Sequence, residues 1–549
     1  MSPTDQIRSL SWGDTFFLYL EREGQPLNIA STCEFEGKIS LPAFAKFVES
    51  KLDLIPRYKQ RAVFPFFNLN LPTWEPDPNF DIRNHVREVV LKQGTDRDLK
   101  AEAAKVVSSH LDRHHPLWNL TLVRGLKGNR TGVIIRIHHC MADGISGVGI
   151  MNVLLDASPT PQKPAPKKSR PQPPRPGDSV AMLLNQLLTS YQSFARGALT
   201  AQTEVLNIAR EILAGATQGH TREIIHLVPE LASVAERLPF NQVCRGPQQI
   251  AWGELPMADI KAIRESCGGT VNDVVLTVIT STVRRYAEQH GVNVCGRELR
   301  LIVPINVRGN GDVSELGNRI TFLPVNVPLD VRDPRALLAR ISERIVFLRS
   351  VGVPEIVGMF GTLVSKVPLP AQAVLAPLLT QLPLSLANMI CTNVPGPQLP
   401  LYLLGHKLLR CYPYVPIGGL LGINVAILSY NGVAYVGFGG DVFAVPDIER
   451  FEEMLHTSFA ELRDVAEGKK PAVKAAKKPV RSTARPRPIE RTKAAPKAKV
   501  PKRKKVSAKP PASPKRRILA ATAAVPFPPP PNIAATVAAL EESLAQTGD

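Results

Sequence analysis

The sequence predicts a mixed α/β protein of two domains that ends in a basic, disordered tail. A chain of 549 residues is too long to bury its apolar side chains in a single core. Runs typical of buried strands occur in both halves, at residues 132–137, 300–304, 421–428 and 433–438. The net charge of +19 belongs to residues 469–517, which hold 20 Lys and Arg and one acidic residue, so the remainder of the chain is neutral.

Shifts in composition indicate how the first half is organised. Residues 1–156 are predicted to form the first α/β unit, which ends in the strand at 132–137 and a helix at 147–155. Residues 157–178 contain eight prolines, which is typical of a linker. The helical spacing of apolar residues then predicts a helical connection between the domains, over 179–246.

The second half is predicted to contain the other domain and the tail. Residues 247–467 form a second α/β unit, whose last helix is expected to start at Asp447. The segment 468–549 is rich in Lys, Pro and Ala and is expected to be disordered, apart from a short amphipathic helix at 532–546. Residues 367–406 lack charged side chains, but prolines interrupt them. Buried helices and loops are favoured there over a membrane helix; the alternative is an apolar surface for acyl chains or lipid.

The cysteines and the N-terminus bear on the compartment. Seven scattered cysteines, an odd number, argue against a disulfide framework and for a reducing cytosol. The first eight residues contain no apolar run, so a secretory signal is not expected.

The most informative segment is His138-His139-Cys140-Met141-Ala142-Asp143-Gly144, directly after the strand at 132–137. Histidine can accept a proton from a hydroxyl near neutral pH. The aspartate can anchor the turn, and Gly144 allows a tight backbone. A packing role for the histidine pair is the alternative. Zinc is less favoured, since adjacent residues of an extended chain point apart and no further ligand spacing is present.

This segment resembles the His-His-x-x-x-Asp-Gly motif of acyl-CoA-dependent acyltransferases, and more narrowly that of the bacterial wax ester synthase/diacylglycerol acyltransferase family. Further segments over about residues 7–466 resemble motifs of this family in the same order. They are Leu10-Ser11-Trp12-Gly13-Asp14, Leu111-Asp112-Arg113-His114-His115-Pro116-Leu117-Trp118, Thr270-Val271-Asn272-Asp273, Pro304-Ile305-Asn306-Val307-Arg308, Thr392-Asn393-Val394-Pro395-Gly396-Pro397 and Leu428-Ser429-Tyr430-Asn431-Gly432.

The resemblance implies a two-domain fold like that of chloramphenicol acetyltransferase, with the active site at the domain interface. It implies transfer of a long-chain acyl group from acyl-CoA to diacylglycerol, giving triacylglycerol, or to long-chain alcohols, giving wax esters. Acyl-CoA is a co-substrate in this scheme, and no metal or other cofactor is expected.

The resemblance also implies roles for individual residues. His139, the second histidine of the motif, corresponds to the family's general base, and His138 is expected to orient the loop or shape the pocket. Asp143 either tunes His139 or holds the loop through an arginine, with Arg308 as a candidate partner. Asn272 either hydrogen-bonds near the reacting centre or caps a helix.

Three further residues are expected to take no direct part in the chemistry. Pro116 and Trp118 are expected to pack beside the motif strand. A nucleophilic Cys140 is disfavoured, because direct attack on acyl-CoA needs no acyl-enzyme and the chain contains no Gly-x-Ser-x-Gly elbow.

The basic tail predicts an anionic partner. Residues 469–517 are expected to attach a cytoplasmic enzyme peripherally to an anionic membrane or lipid droplet, and nucleic acid is the other candidate. Rival functions are a condensation-type transferase, a transferase acting on another alcohol, and a weakly active protein that tethers lipid or nucleic acid.

Overall fold

The computed structural model describes residues 8–65, 68, 71–142, 151, 153–160, 227, 230, 233–306, 320–358, 372–373 and 385–469. Its strands are β1 (Arg8–Ser9), β2 (Asn28–Glu36), β3 (Gln60–Val63), β4 (Thr73–Pro76), β5 (Val86–Val90), β6 (Trp118–Leu126), β7 (Arg130–His138), β8 (Gln248–Pro256), β9 (Glu298–Asn306), β10 (Ile320–Pro328), β11 (Met389–Pro395), β12 (Tyr402–Leu403), β13 (His406–Tyr414), β14 (Ile423–Tyr430) and β15 (Val433–Asp441). Its α-helices are α1 (Trp12–Leu20), α2 (Leu41–Lys51), α3 (Asp96–Val107), α4 (Met257–Cys267), α5 (Val271–Gln289), α6 (Pro334–Ser350) and α7 (Arg450–Ala466).

Two six-stranded sheets, each with its own apolar core, organise the described residues. The first has the order β12-β13-β2-β7-β6-β5, and its pairs are antiparallel except β5 with β6. The second has the order β10-β9-β11-β14-β15-β8, in which β11 runs parallel to both neighbours. Strands β1, β4 and β3 form a small third sheet. The α/β character predicted from the sequence is therefore confirmed.

The chain crosses from one sheet to the other late in the sequence. Strand β13 follows β11 in the chain, yet it pairs with β2 of the first sheet and places Cys411 opposite Cys33. The Sγ atoms of these two buried cysteines lie 2.8 Å apart. The first sheet is thus completed by residues from the second half of the chain, a feature for which the sequence carries no local signal.

Aromatic stacking joins the two sheets near this crossing. Trp252 of β8 stacks on Tyr412 of β13, with ring centroids 4.4 Å apart. The Tyr412 hydroxyl donates to Glu254 Oε1 at 2.6 Å. Lys100 of α3 lies over the Trp252 ring and contacts Glu452 of α7 at 2.7 Å. The two Tyr412 contacts fix β13 of the first sheet against β8 of the second, and Lys100 links α3 to β8 and α7.

The predicted strands are observed as β7, β9, β14 and β15; β7, β9 and β15 are longer than predicted, and β14 has the predicted length but lies two positions later. Two expectations are wrong in detail. The last helix begins at Arg450, since Asp447 lies in a turn whose carbonyl accepts the Arg450 N–H. The uncharged segment 367–406, expected to be helices and loops, contributes strand β11, because Ile390 and its neighbours pair with β9 and β14.

Several expectations fall wholly or mostly outside the described residues. These are the linker at 157–178, the helical connection at 179–246, the tail at 468–549, its helix at 532–546, and most of the helix at 147–155. The predicted domain boundaries therefore remain predictions. No helix among the described residues is both long and apolar enough to cross a membrane.

Candidate active site

The histidine pair lies where β7 ends, in the middle of the first sheet. The run Val133-Ile134-Ile135-Arg136-Ile137 forms a strand because its apolar side chains are covered on both faces. His138 is the last strand residue and lies opposite Asn28 of β2. The His138 N–H donates to the Leu117 carbonyl and the His139 N–H donates to the Leu27 carbonyl, both at 2.9 Å. Backbone contacts from two different segments therefore fix the pair.

The His138 side chain is enclosed, with 1% of its surface exposed. Its Nδ1 accepts the Cys140 N–H at 3.1 Å. Because Nδ1 acts as an acceptor, the ring proton of neutral His138 is on Nε2. That atom lies 3.4 Å from Glu21 Oε1. His138 is consequently held by a backbone amide on one side and a carboxylate on the other.

The His139 side chain has a different environment. It is only half-buried, and its ring stacks on Phe17 of α1 with centroids 4.0 Å apart and planes 12° from parallel. Of the two histidines, His139 is therefore the one with surface left to meet another molecule.

Glu21, which sequence reasoning did not single out, lies beside the pair. Its side chain is 4% exposed, and its Oε2 accepts from Arg113 Nη2 at 2.9 Å. Its Oε1 accepts the Leu27 N–H at 3.2 Å and lies 3.4 Å from His110 Nδ1. Burial alone would raise the pKa of this carboxyl, but contacts with His110, His138 and Arg113 hold the pKa well below its usual range.

The start of helix α1 and the spacing of its residues could have indicated Glu21 from the sequence. Ser11 caps α1 by accepting the Asp14 N–H at 3.1 Å, which starts the helix after Leu10. Phe17 and Glu21 are then four positions apart and share one helix face. That face meets the histidine pair, with Phe17 on His139 and Glu21 beside His138.

Arg113 connects the second motif to this helix. Besides Glu21, its Nη2 donates to the Leu18 carbonyl near the end of α1, at 2.9 Å. A guanidinium at this position satisfies a terminal helix carbonyl and complements the negative end of the helix dipole. The Leu-Asp-Arg segment thereby holds α1 against the histidine pair.

Pro116 and Trp118 are buried beside the motif strand. Trp118 starts β6 and lies opposite Ile137 of β7. Its Nε1 donates to the Tyr58 carbonyl at 2.8 Å, and its ring stacks on His85 at 4.4 Å.

Because His85 is buried, we expect the folding stability of the protein to fall at acidic pH. The His85 Nδ1 donates to the Trp118 carbonyl at 2.9 Å. Burial, together with the neighbouring His115, lowers the pKa of His85 despite this hydrogen bond and the nearby Asp77. The pKa of His85 is therefore lower in the folded protein than in the unfolded chain. The stability that neutral His85 contributes is complete above the unfolded pKa of about 6.5, and it is lost as the pH falls through the folded pKa. We expect His85→Phe, which keeps the stack on Trp118, to reduce this acid loss. Urea midpoints on either side of about pH 6.5 measure it; equal acid loss in both proteins would contradict the prediction.

Asn272 does not cap a helix, so that alternative is wrong. The cap of α5 is Thr270, whose Oγ1 accepts the Asp273 N–H while Asp273 Oδ2 accepts the Thr270 N–H. Asn272 is half-buried and its Oδ1 accepts from Asn393 Nδ2 of β11 at 3.3 Å. The structure thus joins two motifs that are 121 positions apart in the chain.

Asp143, Gly144 and Arg308 lie outside the described residues, and so does any contact between Asp143 and Arg308. Over the part of the chain that is described, no three His, Cys, Asp or Glu side chains group as metal ligands.

Cys140, the neighbour of the pair, is buried. Burial, reinforced by Asp14 and Glu21, raises the pKa of its thiol well above the usual value. A thiol in such surroundings is a poor nucleophile. We therefore expect Cys140→Ala to retain the expected acyl transfer within about twofold in steady-state assays, since a buried thiol with a raised pKa supplies little thiolate. A loss comparable to that of a catalytic residue would restore the nucleophile interpretation.

Comparison with known proteins places this site in a family. The wax ester synthase/diacylglycerol acyltransferase catalytic domain model matches residues 10–275, and the C-terminal domain model of the same family matches 316–463. A Mycobacterium tuberculosis protein named "Probable diacyglycerol O-acyltransferase tgs1" is 28% identical over 434 residues, which are 78% of this chain and 89% of that protein.

Solved structures share the fold. The wax ester synthase/diacylglycerol acyltransferase from Marinobacter aquaeolei VT8 matches with a TM-score of 0.57 and 23% identity, over 84% of this chain and all of that one. The starter condensation domain of rhizomide synthetase, solved with C8-CoA, matches with a TM-score of 0.52 and 13% identity, over 85% of this chain and 97% of that domain.

The fold and the family models define a two-domain α/β acyltransferase. The chain belongs to the wax ester synthase/diacylglycerol acyltransferase family, since the two family models together match most of it. The family assignment from sequence motifs is confirmed.

Proposed function

We propose that the protein transfers a long-chain acyl group from acyl-CoA to diacylglycerol, forming triacylglycerol and free CoA. The observation that supports this most is the position of His139. It directly follows strand β7 of the first sheet, remains half-buried, and stacks on Phe17 within the segment that matches the family's catalytic domain. The named M. tuberculosis relative supports diacylglycerol as the acceptor.

The proposed reaction is a direct transfer. His139 takes the proton of the acceptor hydroxyl as that oxygen attacks the thioester carbonyl. The tetrahedral intermediate collapses, the carbon–sulfur bond breaks, and the CoA sulfur leaves with the proton carried by the imidazolium. The histidine is regenerated and no bond to the protein forms. Acyl-CoA thus acts as a co-substrate.

Other residues have supporting roles in this proposal. His138 anchors the loop, since its ring is enclosed by Cys140 and Glu21. Asp143 holds the same loop, with Arg308 as its proposed partner. Asn272, through its contact with Asn393, is proposed to orient polar groups near the reacting centre.

A second acceptor class is supported by the Marinobacter relative, whose name includes wax ester synthase. A long-chain alcohol offers the same primary or secondary hydroxyl to His139, and its product is a wax ester. Selection between the two acceptors is then proposed to depend on the shape of the acceptor-binding site rather than on a different catalytic group.

The function is tested by acceptor dependence. Purified full-length protein is given palmitoyl-CoA with dioleoylglycerol, hexadecanol or an amine, and free CoA and lipid products are measured. We expect CoA release to require an alcohol and to equal the ester formed. Release with the amine alone would favour a condensation-type reaction, and no transfer to either alcohol would refute the proposal.

We further propose that residues 469–517 bind the enzyme peripherally to an anionic membrane or lipid droplet on the cytoplasmic side. The basis is charge: 20 basic side chains lie in this segment, and each basic residue near an anionic surface contributes about 1 kcal/mol. Diacylglycerol resides in such surfaces, so attachment would bring enzyme and acceptor together.

Truncation after Glu467 tests the role of the tail. We expect the truncated protein to keep turnover on detergent-dispersed diacylglycerol and to lose sedimentation with phosphatidylserine vesicles, while full-length binding falls with added salt. Tighter, equally salt-dependent binding to DNA would favour nucleic acid as the partner. Loss of all turnover on truncation would contradict an accessory tail.

A further inference from the structure

We propose that Glu21 is a positioning residue for this acyl transfer. Its buried carboxylate sets the orientation of His138 and of the His139 backbone without contacting the reacting atoms. The inference rests on the proposed function, because it assigns Glu21 a part in the same reaction. Three sets of contacts support it: those to the His138 ring, to Leu27, and to Arg113 and His110.

The first contact selects one form of His138. The Cys140 N–H donates to Nδ1 at 3.1 Å, so Nδ1 offers its lone pair and Nε2 carries the proton. Glu21 Oε1 lies 3.4 Å from Nε2 and provides a negative charge for that N–H. A ring flip would turn a C–H toward the Cys140 amide. The carboxylate therefore opposes both the other tautomer and the other ring orientation.

The second contact reaches His139 through the backbone. Glu21 Oε1 accepts the Leu27 N–H at 3.2 Å, and the Leu27 carbonyl accepts the His139 N–H at 2.9 Å. Moving the carboxylate would release Leu27, which in turn anchors the main chain of the proposed base. An error of about 1 Å in the placement of a catalytic group can cost about a hundredfold in rate.

The third set of contacts holds the Glu21 carboxylate in a fixed position. Arg113 Nη2 donates to Oε2 at 2.9 Å, and His110 Nδ1 lies 3.4 Å from Oε1. The Glu21 N–H also donates to the Phe17 carbonyl at 3.2 Å, while the Phe17 ring stacks on His139. One helix end thus places a stacking ring on the second histidine and a carboxylate beside the first.

The test replaces the carboxylate by its neutral isostere. Glu21→Gln puts an amide N–H₂ against Arg113 or Leu27, donor facing donor. We expect kcat to fall at least about tenfold, with the KM for palmitoyl-CoA unchanged within about twofold, because binding does not involve this side chain. The matched control is Glu23→Gln, an exposed glutamate two positions away, which should retain wild-type values.

A double-mutant cycle separates positioning through His138 from an independent effect. If Glu21 acts through His138, the Glu21→Gln/His138→Gln protein loses no more activity than the more impaired single variant. Multiplicative losses would overturn positioning through His138 and leave only the route through Leu27, whereas wild-type kinetics for Glu21→Gln would overturn the whole inference; both outcomes leave the proposed function standing. Absence of transfer by the wild type and by Glu23→Gln would instead overturn the proposed function, and this inference with it. If Glu21→Gln does not fold, Glu21→Asp, which keeps the charge but shortens the reach, is measured in the same cycle.

Discussion

His139→Ala is expected to lower kcat for transfer of palmitoyl groups to dioleoylglycerol at least about a hundredfold, the usual contribution of a general base. Without the imidazole, the acceptor hydroxyl must attack while still protonated. The KM for palmitoyl-CoA should change little, since the ring acts on the acceptor. Steady-state assays of both proteins at equal concentration measure the difference.

The matched control is His114→Ala, which removes an exposed histidine from the neighbouring motif. It should leave kcat within about twofold, because its side chain is exposed and surface substitutions have small effects. Urea midpoints of all three proteins show whether the fold is retained. A His139→Ala enzyme that is folded and fully active would exclude the general-base role.

The second large effect concerns stability. Trp118→Ala is expected to lower the free energy of unfolding by about 3–5 kcal/mol, the range for loss of a large buried aromatic. It removes the stack on His85 and the hydrogen bond to the Tyr58 carbonyl, and it opens a cavity next to Ile137 of the motif strand. The shift of the urea midpoint, monitored by circular dichroism, measures the loss.

Trp118→Phe distinguishes packing from chemistry at this position. Phenylalanine keeps an aromatic ring but lacks the indole N–H, so the loss should be clearly smaller than for alanine. Its kcat per folded enzyme should remain near that of the wild type. A folded Trp118→Phe protein with kcat reduced as far as that of His139→Ala would contradict a packing role.

Local patterns predicted much of the fold and the position of the site. The apolar run before His138 and the runs that became β9, β14 and β15 each identify their strand from their own residues, because a buried strand is recognisable within a few positions. The histidine pair is also recognisable locally, because its motif occupies seven consecutive residues directly after a predicted strand. Family motifs then supplied the order of the two domains.

Contacts between segments that are far apart in the chain could not be predicted from local sequence patterns. Strand β13 reaches back to β2, and nothing in residues 406–414 says which sheet accepts them. Glu21 was missed because its importance comes from Arg113 and His110, which are about 90 positions away. Asn272 was assigned two alternatives because an asparagine at this place in the sequence can either serve the reacting centre or cap a helix. The observed hydrogen bonds between Thr270 and Asp273 exclude the cap.

Direct transfer from acyl-CoA to a lipid alcohol is tested most directly by an acid-quenched single turnover. Enzyme in excess over palmitoyl-CoA labelled in the acyl group is mixed with or without dioleoylglycerol, and label is followed in thioester, protein and lipid. We predict that label passes to triacylglycerol only when the acceptor is present, with none bound to protein at any time. Label on the protein before the acceptor arrives, or no triacylglycerol at all, would contradict the mechanism proposed for His139.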